Sequence, residues 1–230
     1  MFEETVLESK KAWDENADFW DERMGDSSNR FHCRIVRPGV EELLEVSEND
    51  YVLDVACGTG NLSQRMAEKG AKVVAFDFCS KLIEHAKRRR KNYLNHIEFY
   101  ECDATDYHQL MGLKKEKKYT KAVSCMGIMD IAEIKPLFQA LYNMLDDNGI
   151  FVFATHHPCF VRPEERYITP CVHKGEAIKG QPVMQNYYHR SLQDIFQICF
   201  DSGFVIDGFQ EKLDDDREIP VIIIVRARKR

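Results

Sequence analysis

Apolar positions along the chain fall into two alternating rhythms. Short apolar runs stand at 51–55, 72–76, 96–100, 121–125 and 150–155, and the segments between them have helical period. Run lengths of this kind suit strands buried on both faces. A helix is predicted over 61–69 and stopped by Gly70. Ser80 caps the next one, which turns Leu82, Ile83 and Ala86 inward. Pro136 sits in the first turn of a third, where Ile134, Leu137, Phe138, Leu141 and Leu145 make one stripe. Asp147, Asn148 and Gly149 make the turn into the fifth strand. Ser191 and Asp194 form a capping-box variant opening a further helix, which Gly203 closes. Runs at 204–210 and 221–227 are the last two strands, and the short connection between them suits an antiparallel hairpin. Residues 3–24 read as one or two helices with Trp13, Ala17, Trp20 and Met24 on a common face, and Pro38 precedes a short helix over 39–44.

This order of elements predicts one α/β domain over 1–230. The expected core is a seven-stranded, mostly parallel Rossmann-like sheet with an antiparallel last strand and helices on both faces. Residues 1–45 form an N-terminal helical cap, 46–155 the ligand-binding core, and 191–230 a C-terminal helix and hairpin. Residues 156–190 break the repeat. They hold Pro158, Pro163, Pro170 and Pro182 with Gly175 and Gly180, and are too long for an ordinary connection. The segment leaves the fifth strand at the sheet edge where ligands bind. It is therefore expected to be an irregular wall or lid over a substrate. His156, His157, Cys159, Arg162, Tyr167, His173, Tyr187, Tyr188, His189 and Arg190 crowd into it.

Composition narrows the function classes. The net charge of -6 argues against general nucleic-acid binding, which needs a basic surface. Basic runs at 87–91, 114–118 and 226–230 read as a helix end, a solvated loop and a tail. No apolar run reaches the roughly 18 residues of a membrane span. The opening residues, from Met1 and Phe2, are acidic and lack a signal-peptide pattern. The 8 cysteines include no Cys-x-x-Cys pair, which leaves no zinc-ribbon or thioredoxin motif and suits a reducing cytoplasm. Cys57, Cys79, Cys102 and Cys125 recur every 22–23 residues, each just past a strand. They serve either as small apolar filler beside a ligand, the preferred reading, or as a metal or thiol-redox edge.

The chemistry concentrates where the first strand meets its helix. Residues 51–55 run into Ala56, Cys57, Gly58, Thr59 and Gly60, a loop that lets a ligand approach bare backbone. The next strand ends at Asp77, whose carboxylate can take two ribose hydroxyls. A dinucleotide fingerprint would need a third in-phase glycine, and Asn61 and Ser63 follow instead. Asp54, just before the loop, would repel a pyrophosphate and suits an ammonium or a sulfonium.

The stretch from Val52 to Gly60 resembles motif I of the class I S-adenosylmethionine (SAM) dependent methyltransferases. Val74 to Asp77 resembles their motif II, and Glu101 to Ala104 their adenine-contacting motif. The resemblance covers most of 45–155 and extends more loosely to 13–20; one departure is Ala56, where many members have Gly. It implies SAM as cofactor and S-adenosyl-L-homocysteine (SAH) as product. It also implies that Ala56, Cys57, Gly58 and Gly60 pass the methionine part over backbone while Asp54 faces its amino end. Asp77 would hold the ribose and Phe78 lie against the adenine. Asp103 and Ala104 would meet its edge, Cys125 and Met126 would border the methionine side, and Trp20 would fold over the pocket. Similar small-molecule members carry a His-Pro pair after the fifth strand and an aromatic-His-Arg run before the next helix.

Methyl transfer is an in-line displacement at carbon, and alignment alone can supply roughly 7–11 kcal/mol. A base is needed only for an acceptor that arrives protonated, and His is the natural one. The catalytic candidates are His157 and His189, with Tyr188 orienting the acceptor; alternatively these side chains only bond the lid to the core. The expected function is methyl transfer to an unidentified small molecule by a monomer or homodimer, with no metal and no nucleic-acid partner. The accepting atom, O, N, C or S, stays open. An RNA or protein methyltransferase would need a basic groove or recruitment domain. A silent SAM-binding regulatory protein would keep the same loop. An NAD-dependent oxidoreductase lacks its third glycine and any Tyr-x-x-x-Lys pair.

Overall fold

Alternation of strands buried on both faces with amphipathic helices gives one continuous sheet wrapped on two sides. In this computed structural model the described residues are 3–160, 166–214 and 218–230. Met1, Phe2, Arg162 and Pro163, named above, lie outside them. Helix α1 (Val6–Met24) is followed by a π-helical turn, His32–Val36, that runs into α2 (Arg37–Leu44). Then come β1 (Tyr51–Val55), α3 (Asn61–Glu68), β2 (Lys72–Asp77), α4 (Ser80–Arg89) and β3 (Ile97–Glu101). A short α5 (Tyr107–Met111) precedes β4 (Tyr119–Cys125), α6 (Lys135–Met144) and β5 (Leu145–His156). The chain continues through β6 (Cys171–Gly175), β7 (Gln185–His189), α7 (Leu192–Asp201), β8 (Phe204–Lys212) and β9 (Ile222–Lys229).

Seven strands pair in the order β3-β2-β1-β4-β5-β9-β8. The first four neighbouring pairs are parallel, and β9 enters antiparallel between β5 and β8, as the hairpin expectation required. Successive strand residues feed opposite layers. Leu53, Phe76, Phe151 and Phe153 pack with α6 residues such as Leu137 and Phe138. Val52, Ala75, Val123 and Val152 pack with α2, α3 and α4 through Val40, Met66 and Ile83. Phe138 meets the rings of Phe151, Phe153 and Phe204 edge-on, with centroids 5.2, 5.7 and 6.4 Å away. Burying each such ring is worth about 1.5–3 kcal/mol, so this layer fixes β5 and β8 beneath α6.

Four points depart from expectation. Cys79, not Ser80, takes the cap position of α4, with no side-chain cap bond. Strand β5 begins at Leu145, not 150, because the turn of Asn148 (φ 63) is absorbed as an irregularity in pairing between Tyr119 and Lys121. Helix α5 was not foreseen; Asp106 caps it by accepting from the amides of His108 and Gln109. The 156–190 segment is not wholly irregular. Strands β6 and β7 pair antiparallel in a sheet of their own, with Cys171 opposite His189 and Gly175 opposite Gln185.

This small sheet and α4 hold α1 from two sides. Tyr188 Oη lies 2.7 Å from Thr5 Oγ1 and 2.8 Å from Ser9 Oγ, and Asn16 exchanges bonds with the backbone of Val183. On the other side, Arg88 and Arg89 of α4 pair with the buried Asp21, whose carboxyl is held below its usual range. Burial opposes that lowering, and the arginines and His85 outweigh it. No helix of the described residues is long and apolar enough to cross a membrane.

Candidate active site

The cofactor-type loop is shaped by residues in a backbone conformation that L side chains avoid. Ala56, Gly58 and Gly60 have φ of 53, 56 and 72°, and Met126 after β4 has 63°. At Ala56 and Met126 the turn costs of order 1–3 kcal/mol each, which the surrounding bonds must hold in place. Those bonds are present. Cys57 donates its amide to Phe76 O at 3.0 Å, and Met126 donates to Ala154 O at 2.9 Å. Arg90, 1% exposed, donates to Thr59 O at 3.1 Å and to Gln64 Oε1 at 2.6 Å. The basic run at 87–91 therefore spends Arg88, Arg89 and Arg90 on internal contacts.

Two carboxyls sit beneath this loop. Asp77 accepts from the amides of Gly58 at 2.9 Å and Cys79 at 3.0 Å, and Asp54 accepts from Ser63 Oγ at 2.5 Å. Burial pushes Asp54 up to about 7, with Ser63 opposing and Asp77 adding to the rise. Burial likewise pushes Asp77 up to about 6, against the amides of Cys79 and Gly58. Among the described residues neither carboxyl has an ion-pair partner. A ligand bringing an ammonium, a sulfonium and ribose hydroxyls supplies what these acids lack.

One cavity gathers the sequence candidates. Trp20, Asp54, Ala56, Cys57, Gly58, Asp77, Phe78, Asp103, Ala104, Cys125 and Met126 all line it. Gly60 does not. A Cβ there would lie 2.9 Å from the Phe99 ring, so this glycine lets the start of α3 pack against β3. Asp103 Oδ1 accepts from the Thr105 amide and hydroxyl, both at 2.8 Å, which fixes the carboxyl at the cavity rim. Burial raises the thiols of Cys57, Cys79, Cys102 and Cys125 above their ordinary value. They are neutral filler rather than thiolates. Among the described residues no group of three or more His, Cys, Asp or Glu could hold a metal.

The three lid candidates do not converge. His157 Nδ1 accepts from the Cys159 amide at 3.0 Å, which leaves the proton on Nε2, 2.8 Å from Glu211 Oε1. His189 Nε2 donates to Tyr167 O at 2.8 Å. Tyr188 reaches the cofactor cavity while its hydroxyl is tied to α1. The neighbour of His157 does face a space. His156 lines a second cavity of about 330 Å³ with Phe31, His32, Met129, Tyr187 and Asp214. Trp13, Trp20, His32, Met126 and Asp130 border both cavities and form the partition between them. His32, Asp130, His156 and Tyr187 were not singled out as a group by sequence. Strand alternation, which sends adjacent residues to opposite sides, was the signal separating His156 from His157.

Fold and cavity together define a class: a methyltransferase domain built on a Rossmann-like sheet. The chain belongs to the methyltransferase domain family, which residues 46–196 match. It is 26% identical over 153 residues to the ubiquinone biosynthesis O-methyltransferase of Histophilus somni, covering 66% of this chain and 61% of that one. It is 36% identical over 101 residues to a 23S rRNA (uracil(1939)-C(5))-methyltransferase of Vesicomyosocius okutanii, covering 41% of this chain and 23% of the relative. The chain thus spans less than two thirds of the length of these curated relatives. Among solved structures, a SAM-dependent methyltransferase from Mesorhizobium loti superposes with a TM-score of 0.63 at 21% identity, over 84% of this chain and 96% of that one. The magnesium protoporphyrin IX methyltransferase of Synechocystis PCC 6803 with bound SAH gives 0.65 at 18% identity, over 99% and 100%.

Proposed function

We propose that the chain transfers the methyl group of SAM to a small molecule held in the second cavity. The observation that carries this reading is the partition: a chamber of about 330 Å³ shares Trp13, Trp20, His32, Met126 and Asp130 with the cofactor cavity. That volume lies within the roughly 300–1,000 Å³ of small-ligand sites. SAM brings an already activated methyl group, so the protein's task is alignment and exclusion of water. Asp77 holds the ribose, Asp54 faces the amino end, Phe78 covers the adenine, and Asp103 with Ala104 meets its edge. Trp20 and Met126 close the methionine side. Buried neutral thiols suit a reducing cytoplasm, where we place the protein.

A nucleic-acid acceptor is the second reading, because several relatives are named for rRNA. The net charge of -6 and the internal use of the 88–90 arginines weigh against it. Calorimetric titration with SAM, SAH and NAD tests the cofactor, and SAM and SAH are expected to bind. Isotope-labelled SAM incubated separately with a small-metabolite extract and with total RNA tests the acceptor. Label confined to RNA would overturn the small-molecule reading.

A further inference from the structure

The second cavity carries a chemical signature of its own. Its walls are aromatic or apolar at Trp13, Phe31, Met129 and Val221. Two imidazoles, His32 and His156, open into it, and among the described residues neither ring makes a hydrogen bond. His32 packs edge-on against Trp20 at 6.3 Å, and His156 lies 5.3 Å from the Tyr187 ring. Asp130 also faces in, accepting from Gln185 Nε2 at 3.0 Å. The ring nitrogens are left for whatever occupies the space.

The titratable groups around His156 are His32, Tyr187, Asp130 and Asp214 on this cavity, and His173, Tyr188, His189 and Arg190 on the small pocket that His156 also lines. Burial lowers His156 and His32 to about 4, so both are neutral near pH 7; His173 adds to the first lowering, Arg37 and His156 to the second. Burial pushes Asp130 well above the usual carboxylate range, toward its neutral form. Asp214 is the other carboxyl of the described lining, and no Lys or Arg lines this cavity. A fixed anion finds no counter-charge in this lining. An ammonium would meet the sulfonium across the partition.

We propose that this chamber takes an uncharged aromatic acceptor through its phenolic hydroxyl, with His156 as the base that receives the hydroxyl proton. The inference rests on the methyltransferase reading above. Amines and thiols already offer a nucleophilic lone pair near neutral pH, whereas a phenol gains one only as its proton leaves. A dedicated pair of neutral imidazoles fits the second case. The phenol oxygen forms the new C–O bond, the S–C electron pair returns to sulfur, and the O–H proton goes to the imidazole. One positive charge stands in the site before and after, on sulfur first and on His156 last. A desolvated imidazole can therefore take a proton as the sulfonium charge disappears. His32, across the chamber, positions the ring of the acceptor.

The test uses the full chain and has two arms. In the first, the SAH complex is titrated calorimetrically with catechol and hydroquinone, and with the charged 3,4-dihydroxybenzoate and dopamine. At least one neutral phenol is expected to bind at least tenfold more tightly than its charged counterparts. Equal or tighter binding of a charged probe, or no binding of either neutral probe, would overturn the substrate class. In the second, labelled SAM is offered with the neutral probes to the parent, His156→Gln and His156→Asn, with thermal melting as a check on folding. The rate of label transfer should fall at least a hundredfold while SAH affinity and phenol binding stay within about threefold. A folded variant that transfers within threefold of the parent would overturn the base. If neither variant folds, the binding arm still decides the class. Failure of SAM and SAH themselves to bind would instead remove the reading on which the inference rests.

Discussion

Along the cofactor edge the cavity is shaped by turns at Ala56, Gly58 and Met126, three left-handed residues held by amide bonds to β2 and β5. The chamber beyond the partition is walled instead by side chains from five separate stretches: Trp13, Phe31, Asp130, His156 and Tyr187. Backbone shaping is local in sequence and depends on a few small residues. Side-chain walls are assembled by the tertiary fold and can be exchanged one at a time. A fixed cofactor and a variable acceptor ask for this division.

The comparison breaks first if bare backbone is not what the cofactor needs. Gly58→Val is expected to abolish SAM binding, at least a hundredfold in affinity by calorimetry. A Cβ there has room, with Trp20 Nε1 3.6 Å away, so the fold survives the added atoms. The φ of 56° costs a valine about 1–2 kcal/mol of stability. Parent-like SAM affinity in the variant would mean the loop is only a turn.

Next in size is Asp54, the acid buried for the ligand. Its pKa is raised to about 7 in the folded chain, against about 3.9 unfolded. The folded state therefore holds the extra proton between those values, and the parent loses stability as pH rises through that window. Asp54→Asn removes the titration. Its stability relative to the parent should fall by on the order of 2 kcal/mol on going from pH 8 to pH 5.5, read from urea unfolding at each pH. SAM affinity should fall in the same variant. A pH-independent difference would mean that Asp54 is not held near neutral.

The same division explains what the sequence made legible. Asp54, Ala56, Gly58, Asp77, Asp103 and Met126 stand at strand ends, and a strand-helix rhythm locates strand ends without any contact information. The mostly parallel seven-stranded sheet and the antiparallel β9 followed from run lengths and the short final connection. The chamber could not be read this way. His156 and His157 are adjacent and chemically identical in sequence, and only the path of β5 decides which one meets Glu211 and which one lines the cavity. Helix α5 was missed because five residues show too little period.

On the side-chain half, Tyr188 distinguishes anchoring from chemistry. Its hydroxyl bonds Thr5 Oγ1 and Ser9 Oγ, which ties the β6–β7 sheet to α1. Tyr188→Phe leaves those hydroxyls short of a partner and should cost about 1–2 kcal/mol in thermal unfolding. SAM affinity is expected to stay within twofold. A large loss of SAM binding with little loss of stability would place the phenol on the cofactor and blur the boundary between the two halves.

The smallest effect asks whether any side chain matters on the backbone-shaped edge. Ala56 carries a left-handed φ of 53° that a glycine adopts freely. Removing its methyl relieves about 1–2 kcal/mol of backbone strain. It also gives the unfolded chain entropy worth about 0.4–1 kcal/mol, which offsets part of the gain. Ala56→Gly should therefore raise stability by only about 0.5 kcal/mol, detectable as a shift of the denaturant midpoint at unchanged slope. The Ala56 methyl also borders Gly127, where an added Cβ would lie 2.8 Å away, so some packing around the loop is released. If the edge works through backbone alone, SAM affinity in this variant stays within twofold of the parent. A loss beyond fivefold would show that the methyl itself touches the ligand, and the cofactor edge would then be recognised partly by side chains, as the chamber is.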